Sequence, residues 1–267
     1  MPGNVRCWAH EQAHPASRRR PACRHRARLP RLCQALNEAG RAHWSSLRCE
    51  LPSLSRPLYA TVLNGRTPLD HGILGNSQAG QRCGSTVFDD LAAAGRSSAI
   101  AAYHWVFELL AGTVFDPLQH RETALPQLNV AGARWYWEDD YPDSHLLADA
   151  EALRHAHEPD FLLVHPMGLD LAGHRHGGES SGYSMAARKL DMVLAQALPR
   201  WHAAGYDLLL TSDHGMHADH WHGGVLPVER EVPLVWLPHQ GGANAPAGWP
   251  STQLGIRTFV AQRLGCR

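Results

Sequence analysis

The sequence has no surplus of charge of either sign: 25 Lys and Arg are balanced by 25 Asp and Glu. A chain that grips nucleic acid or an anionic membrane through its surface needs a clear basic excess, so neither partner is expected. No apolar run approaches the roughly 20 residues that span a bilayer. The first thirty residues hold no apolar core of the kind a secretory leader needs. None of the six cysteines (Cys7, Cys23, Cys33, Cys49, Cys83 and Cys266) forms a C-x-x-C pair. That argues against a zinc knuckle or a thioredoxin-type motif, and scattered thiols suit a cytoplasmic protein better than a disulfide scaffold.

What the chain does have is length, a core and histidine. Its 267 residues, 44% of them hydrophobic, suffice for one large α/β domain. Nineteen histidines are present, and they cluster between His165 and His222. Imidazole is the commonest metal-ligating side chain, so the clustering matters more than the count.

The segment Met1 to Arg28 differs from the rest. Arg18, Arg19, Arg20, Arg24, Arg26 and Arg28 alternate with Pro15 and Pro21, and apolar periodicity of either kind is lacking. Such text buries no face. Residues 1–28 are therefore expected to be a disordered or non-native arm, and residues 29–267 a folded domain. A nucleic-acid-binding role for the arm has weak support, because nothing after it is basic enough to continue a groove.

From Leu29 onward, helix-like and strand-like segments alternate. Helices are expected up to about Gly40 and over Leu58–Leu63, Thr86–Ala94, Ser144–His157 (capped by Asp143 or Ser144), Ser184–His202 and Thr252–Leu264. Strands are expected over Leu47–Leu51, Ser98–Tyr103, Phe161–Val164, Tyr206–Leu210 and Pro233–Leu237, with Gly65–Gly75 as loop. Short continuous apolar strands between helices predict an α/β fold, a mostly parallel sheet flanked by helices on both faces. In such sheets, ligands collect at the carboxyl ends of strands.

Two of those ends carry unusual polar text. Phe161–Val164 runs into Asp170-Leu-Ala-Gly-His174, whose spacing on a helical turn lets a carboxylate and an imidazole face one ion. Tyr206–Leu210 runs into Asp213-His214-Gly215, and neighbours on an extended chain point oppositely, so both can ligate only if the chain turns at Gly215. His222 follows shortly. Buried strands ending in ionisable residues need a partner for them, and a cation is the simplest. Mixed imidazole and carboxylate donors suit a dinuclear zinc site. His165, His176, His217 and His220 read instead as ordinary hydrogen-bonded surface groups.

Asp170-x-x-Gly-His174-x-x-Gly177 and Thr211-Ser-Asp-His-Gly-Met216 resemble the two metal motifs of the nucleotide pyrophosphatase/phosphodiesterase branch of the alkaline-phosphatase superfamily. Leu51-Pro-Ser-Leu-Ser55-Arg-Pro57, with Pro68-Leu-Asp-His-Gly-Ile-Leu-Gly-Asn76, resembles that family's nucleophile segment and following loop. The placement of His222-Gly-Gly is similar to that in lipid-anchor ethanolaminephosphate transferases. The resemblance implies Ser55 as nucleophile at a helix start, with Ser53 as second candidate, and Asn76 as hydrogen-bond donor to the phosphate.

It also implies two divalent metal ions, zinc by preference. One would take Asp170, His174 and His222; the other Asp213, His214, the Ser55 oxygen and a further Asp. That Asp normally ends a first hydrophobic strand in Asp-Gly, and no such text precedes Leu29. The sheet is therefore expected to lack its first strand, and the second metal a ligand. The implied activity is hydrolysis of a small-molecule phosphodiester or nucleotide pyrophosphate through a phosphoseryl intermediate. Alternatives are a phosphomonoesterase, a sulfatase, a phosphoethanolamine transferase or an inactive relative. Trp135, Tyr136, Trp137 and Tyr141 are a candidate wall for the substrate's remaining part, with loop and core packing an equal reading.

Overall fold

The computed structural model describes residues 4–6, 31–242 and 244–266. Seven strands form one sheet: β1 (Asn4–Arg6), β2 (His43–Arg48), β3 (Ser98–Tyr103), β4 (Val130–Tyr136), β5 (Phe161–Val164), β6 (Tyr206–Thr211) and β7 (Glu231–Leu237). The helices are α1 (Arg31–Glu38), α2 (Ser55–Asn64), α3 (Pro68–His71), α4 (Val87–Ala93), α5 (His104–Ala111) and α6 (Pro117–His120) in the first half. In the second half are α7 (Asp143–His157), α8 (Gly168–His176), α9 (Ser181–Ala203), α10 (Pro227–Arg230) and α11 (Gly255–Arg263).

The strand order is β2-β7-β6-β1-β5-β3-β4. From β6 to β4 all neighbours are parallel, whereas β7 runs antiparallel to both β6 and β2. Strands β3, β5 and β6 are buried at every residue, as apolar strands covered on both faces must be. The two-residue period of a strand divides the core. Leu163 and Leu209 join Tyr59, Phe88, Leu109 and Phe259 on one face. Leu162, Val164, Leu208 and Leu210 join Leu147, Leu190, Leu194 and Trp201 on the other. Helices α2, α4, α5 and α11 cover the first face; α7 and α9 cover the second. This is the expected doubly covered α/β sheet.

The first strand is a correction. Instead of a gap, Asn4–Arg6 sits in the middle of the sheet, with Val5 opposite Phe161 of β5 and Asn4 opposite Tyr206 of β6. The physical reason is backbone accounting. An empty lane would leave facing rows of buried N–H and C=O groups on β5 and β6, and an extended segment reaching them satisfies both. The expectation for the rest of the arm, residues 7–28, lies outside the described residues.

Smaller differences have local causes. β2 lies earlier than the expected Leu47–Leu51. The stretch Gly65–Gly75 contains the one-turn helix α3, whose N-cap Thr67 accepts from the Asp70 N–H. Helix α7 begins after Pro142 without a side-chain cap. Asp143 is used elsewhere: its Oδ1 accepts from the Gly168 N–H at the start of α8. No described helix is long and apolar enough to cross a membrane.

Candidate metal and nucleophile site

The site forms where β5 and β6 end at the carboxyl edge of the sheet. β5 leads into α8, which carries Asp170 and His174. β6 leads into the loop that carries Asp213, His214 and His222. The start of α2 brings Ser55 across to them. All seven candidate residues except Asn76 and His174 are buried, and those two are half-buried.

Ser55 opens α2 after Leu54, which is extended and offers no side-chain cap. The Arg56 N–H is taken by Asn76 and Pro57 has none, which leaves the Ser55 end of the helix facing the site. Its Oγ lies 2.9 Å from Nε2 of His214. The same Nε2 is 3.1 Å from Asp213 Oδ2. His214 Nδ1 is 2.9 Å from the Gly215 carbonyl. A carbonyl only accepts, so Nδ1 carries the proton and the Nε2 lone pair faces the serine.

The other two imidazoles are set the same way. His222 Nδ1 donates to the Ser53 carbonyl at 2.9 Å, and His174 Nδ1 donates to the His220 carbonyl at 2.9 Å. Three histidines thus share one tautomer, with Nε2 turned inward. His174 Nε2 and His222 Nε2 come within 3.2 Å of each other. Asp170 reaches them at 3.5 Å and 3.9 Å. The rings of His214 and His222 stack with centroids 3.6 Å apart and 12° between planes.

Two converging lone pairs repel, and buried Asp170 Oδ1 has no hydrogen-bond partner. A divalent cation would satisfy both conditions at once. The donor atoms of Asp170, His214 and His222 all lie within 4.8 Å of one another. Burial holds the His222 pKa below its usual value, with Asp170 opposing, which keeps it in the neutral, ligating form. The donor chemistry therefore fits a metal. Ring N–H groups fixed by backbone carbonyls are how proteins orient ligating histidines.

The motif glycines are spaces rather than hinges. A Cβ on Gly215 would stand 2.0 Å from the Val228 carbonyl oxygen, and its own N–H donates to the Glu229 carbonyl. The turn that lets Asp213 and His214 both face the site comes instead from two neighbours. Gln253 Nε2 donates to the Asp213 carbonyl at 2.6 Å, and Ser212 Oγ donates to the His214 carbonyl at 2.6 Å. On α8, a Cβ at Gly173 would lie 2.5 Å from Met216 Cε, and one at Gly177 2.3 Å from the Ala218 oxygen. The glycine spacing of the first motif lets the loop of the second lie flat on α8.

Asn76 joins the serine through the backbone. Its Oδ1 accepts from the Arg56 N–H at 3.0 Å, and its carbonyl accepts from Arg56 Nε at 2.9 Å. With the amide oxygen committed, the NH2 remains as donor. Arg56 is buried, ion-paired to buried Glu108, and lies 4.6 Å over the Trp105 ring. Burial pushes the Glu108 carboxyl up, but the Phe115 N–H and Arg56 outweigh it, so its pKa is lowered.

Several residues take structural parts. Ser53, the rival hydroxyl, donates to the Gly224 carbonyl at 2.8 Å and accepts from the Gly223 N–H at 3.1 Å, tethering the His222 loop. His165 is buried rather than exposed, its ring edge-on to Tyr59 at 4.6 Å. Trp135 is a core residue, its indole N–H donating to the Thr123 carbonyl. Tyr136 is buried and donates to the His165 carbonyl, while its ring stacks on Tyr141. Of that quartet, Trp137 alone counts as exposed. The roles of Arg56 and Glu108 were not predicted. Arg56 was visible beside Ser55 in Ser-Arg-Pro; nothing in the sequence signalled Glu108.

A doubly covered α/β sheet with Asp/His pairs gathered beside a helix-opening serine defines a member of the alkaline-phosphatase superfamily. The chain belongs to the type I phosphodiesterase/nucleotide pyrophosphatase family, whose model matches residues 20–229. It is 37% identical over 106 residues to GPI ethanolamine phosphate transferase 3 of Eremothecium gossypii, a match covering 37% of this chain and 10% of that protein. The chain thus spans about a tenth of the curated relative it matches.

Three solved structures share the fold. A protein of the glycosaminoglycan-metabolism locus of Bacteroides thetaiotaomicron superposes with a TM-score of 0.63 at 11% identity, covering 100% of this chain and 73% of that one. Murine ectonucleotide pyrophosphatase/phosphodiesterase 5 gives 0.56 at 13%, covering 80% and 57%. Phosphonoacetate hydrolase of Sinorhizobium meliloti 1021 gives 0.53 at 17%, covering 80% and 56%.

Proposed function

We propose that this chain hydrolyses a phosphodiester or nucleotide pyrophosphate bond of a small molecule, with Ser55 as nucleophile. The observation that carries the reading is the approach of Ser55 Oγ to His214 Nε2 at 2.9 Å, beside buried Asp170, His222 and Asp213. Family membership supports the reaction class. Murine ectonucleotide pyrophosphatase/phosphodiesterase 5 has been solved, in an inactive form, with AMP. A nucleotide-sized phosphoester is therefore a sensible first substrate.

Asp170, His174 and His222 would hold one zinc-class ion, and Asp213, His214 and the Ser55 oxygen a second. When bound, such ions lower the pKa of the hydroxyl and neutralise charge on the phosphoryl oxygens. The chain's own residues supply the rest. Ser55 Oγ forms the new P–O bond as the bond to the leaving oxygen breaks. The N-terminus of α2 favours the alkoxide and the bound phosphate. The Asn76 NH2 donates to a non-bridging oxygen. The leaving group departs as its alcohol or phosphate, and water then cleaves the Ser55–phosphorus ester, restoring the hydroxyl and releasing a phosphomonoester.

A second reading, transfer of phosphoethanolamine, is favoured by the match to GPI ethanolamine phosphate transferase 3. It uses the same serine and differs in the acceptor of the second step. Cys49, Cys83 and Cys266 are buried free thiols, in keeping with a cytoplasmic location.

The test is the hydrolysis of a nitrophenyl phosphodiester by zinc-loaded protein and by Ser55→Ala. The proposal expects a fall of at least about 10³-fold; equal rates would remove Ser55 from its role.

A further inference from the structure

His220 is an exposed histidine in a left-handed conformation, at φ +70°. Non-glycine residues are uncommon in that region, and asparagine, aspartate and histidine are enriched among those that hold it. Its surroundings account for it. The loop from His217 closes on itself, with the His217 N–H donating to the Trp221 carbonyl at 2.9 Å. The conformation at His220 turns its carbonyl toward α8, where it accepts from His174 Nδ1 at 2.9 Å. The same residue then donates in return: His220 Nδ1 reaches the His174 carbonyl, also at 2.9 Å. Each histidine's ring therefore binds the other's backbone.

This reciprocal pair joins the last turn of α8 to the loop that leads directly into His222. Loop and helix are already in close contact, with Gly177 leaving room for the Ala218 carbonyl and His220 Cδ2. His174 Nε2 and His222 Nε2 meet 3.2 Å apart only if helix and loop keep their relative position. Neither hydrogen bond is shielded by burial of His220. The pair acts instead by geometry, fixing one ring's tautomer and one loop's height together.

We propose that His220 is a positioning residue for the cation site: its clasp on His174 presets two imidazole ligands before any ion arrives. The inference rests on reading Asp170, His174 and His222 as metal ligands. The clasp gives the histidine ring a part that glycine, which would relieve the backbone, could not play. Glycine has no ring to donate, so nothing would hold its carbonyl against His174 Nδ1. Asparagine tolerates the conformation, and its Nδ2 stands at the same number of bonds from the backbone as histidine Nδ1.

The experiment measures zinc affinity of the full chain by chelator competition for wild type, His220→Ala, His220→Gly and His220→Asn. The His174 Nδ1 proton is followed by NMR in the zinc-free protein, and circular dichroism confirms folding. The clasp predicts zinc binding weakened about 10–100-fold in the alanine and glycine variants, the range typical for partners of ligating histidines. It predicts near-wild-type affinity for asparagine. The His174 Nδ1 proton should be protected in wild type and in the asparagine variant, and exchange in the other two. Unchanged affinity in His220→Ala, or equal loss in His220→Ala and His220→Asn, would overturn the clasp. A wild-type chain that takes up no zinc would instead remove the metal reading beneath it.

Discussion

Ser55 and His214, 159 positions apart in sequence, meet with Oγ 2.9 Å from Nε2 in a buried contact. The meeting requires the sheet. His214 rides on the end of β6, and Ser55 opens a helix that packs on the face formed by Leu163 and Leu209. Neither residue has the other within reach in an unfolded chain, so the site is a property of the α/β core. Four consequences can be measured.

Asp170 places a carboxylate in a buried pocket where Oδ1 has no hydrogen-bond partner. Without an ion that oxygen is expected to destabilise the fold, and the proposed zinc would bind it. Asp170→Asn should therefore raise the melting temperature of zinc-free protein by about 2–4 °C, as expected for some 1 kcal/mol, while abolishing most zinc affinity. Calorimetric melts with and without chelator check both signs. A lower melting temperature without zinc would show the carboxylate to be satisfied by the protein alone.

Arg56 and Glu108 are buried together and each makes further bonds, to Asn76 and to the Phe115 N–H. Removing one partner leaves a buried charge. Arg56→Met should cost about 3–5 kcal/mol in denaturant unfolding, and the double variant Arg56→Met/Glu108→Leu clearly less. Strict additivity of the two single changes would show that the charges do not depend on each other.

Gly173 faces Met216 with no room for a Cβ. Gly173→Ala should destabilise by about 1–3 kcal/mol, the usual range for overpacking. Adding Met216→Ala should relieve the clash while opening its own cavity. Zinc affinity should fall with the single variant, because the displaced loop carries His214 and His222.

Burial, reinforced by Arg66, lowers the His71 pKa from 6.5 to about 4. The ring is neutral when folded: Nδ1 accepts from the Ile73 N–H, and Nε2 donates to Thr61 Oγ1. A histidine whose folded pKa is depressed resists protonation, so its contribution to stability is lost as pH falls from about 6.5 toward 4. His71→Gln should flatten the decline of stability across that window, as read from urea midpoints at several pH values. An unchanged slope would place the acid sensitivity elsewhere.

Much of this arrangement was readable beforehand, for reasons that residues make plain. Ser98–Tyr103 and Phe161–Val164 are continuous apolar runs, and both are strands at those bounds. Asp170, Asp213 and His214 stood out because buried strands rarely run into ionisable groups without purpose. β4 was missed because Gly132 and Arg134 interrupt its apolar text, and its aromatics read as a pocket wall. α5 was missed because it follows β3 with no turn residue between them. The three-residue β1 has no pattern of its own; it is a strand because β5 and β6 bind it. The parts Ser53 and His220 play were illegible for another reason. Their side chains bind backbone carbonyls far away in the sequence, which every residue has and only folding aims.

The most direct test of the account is anomalous diffraction at the zinc edge from crystals of the zinc-loaded chain. A peak is predicted about 2.0–2.2 Å from Nε2 of both His174 and His222 and from a carboxylate oxygen of Asp170, on the side of Ser55. A peak bound through Nδ1 atoms or outside this cluster, with Ser55 still against His214, would contradict it.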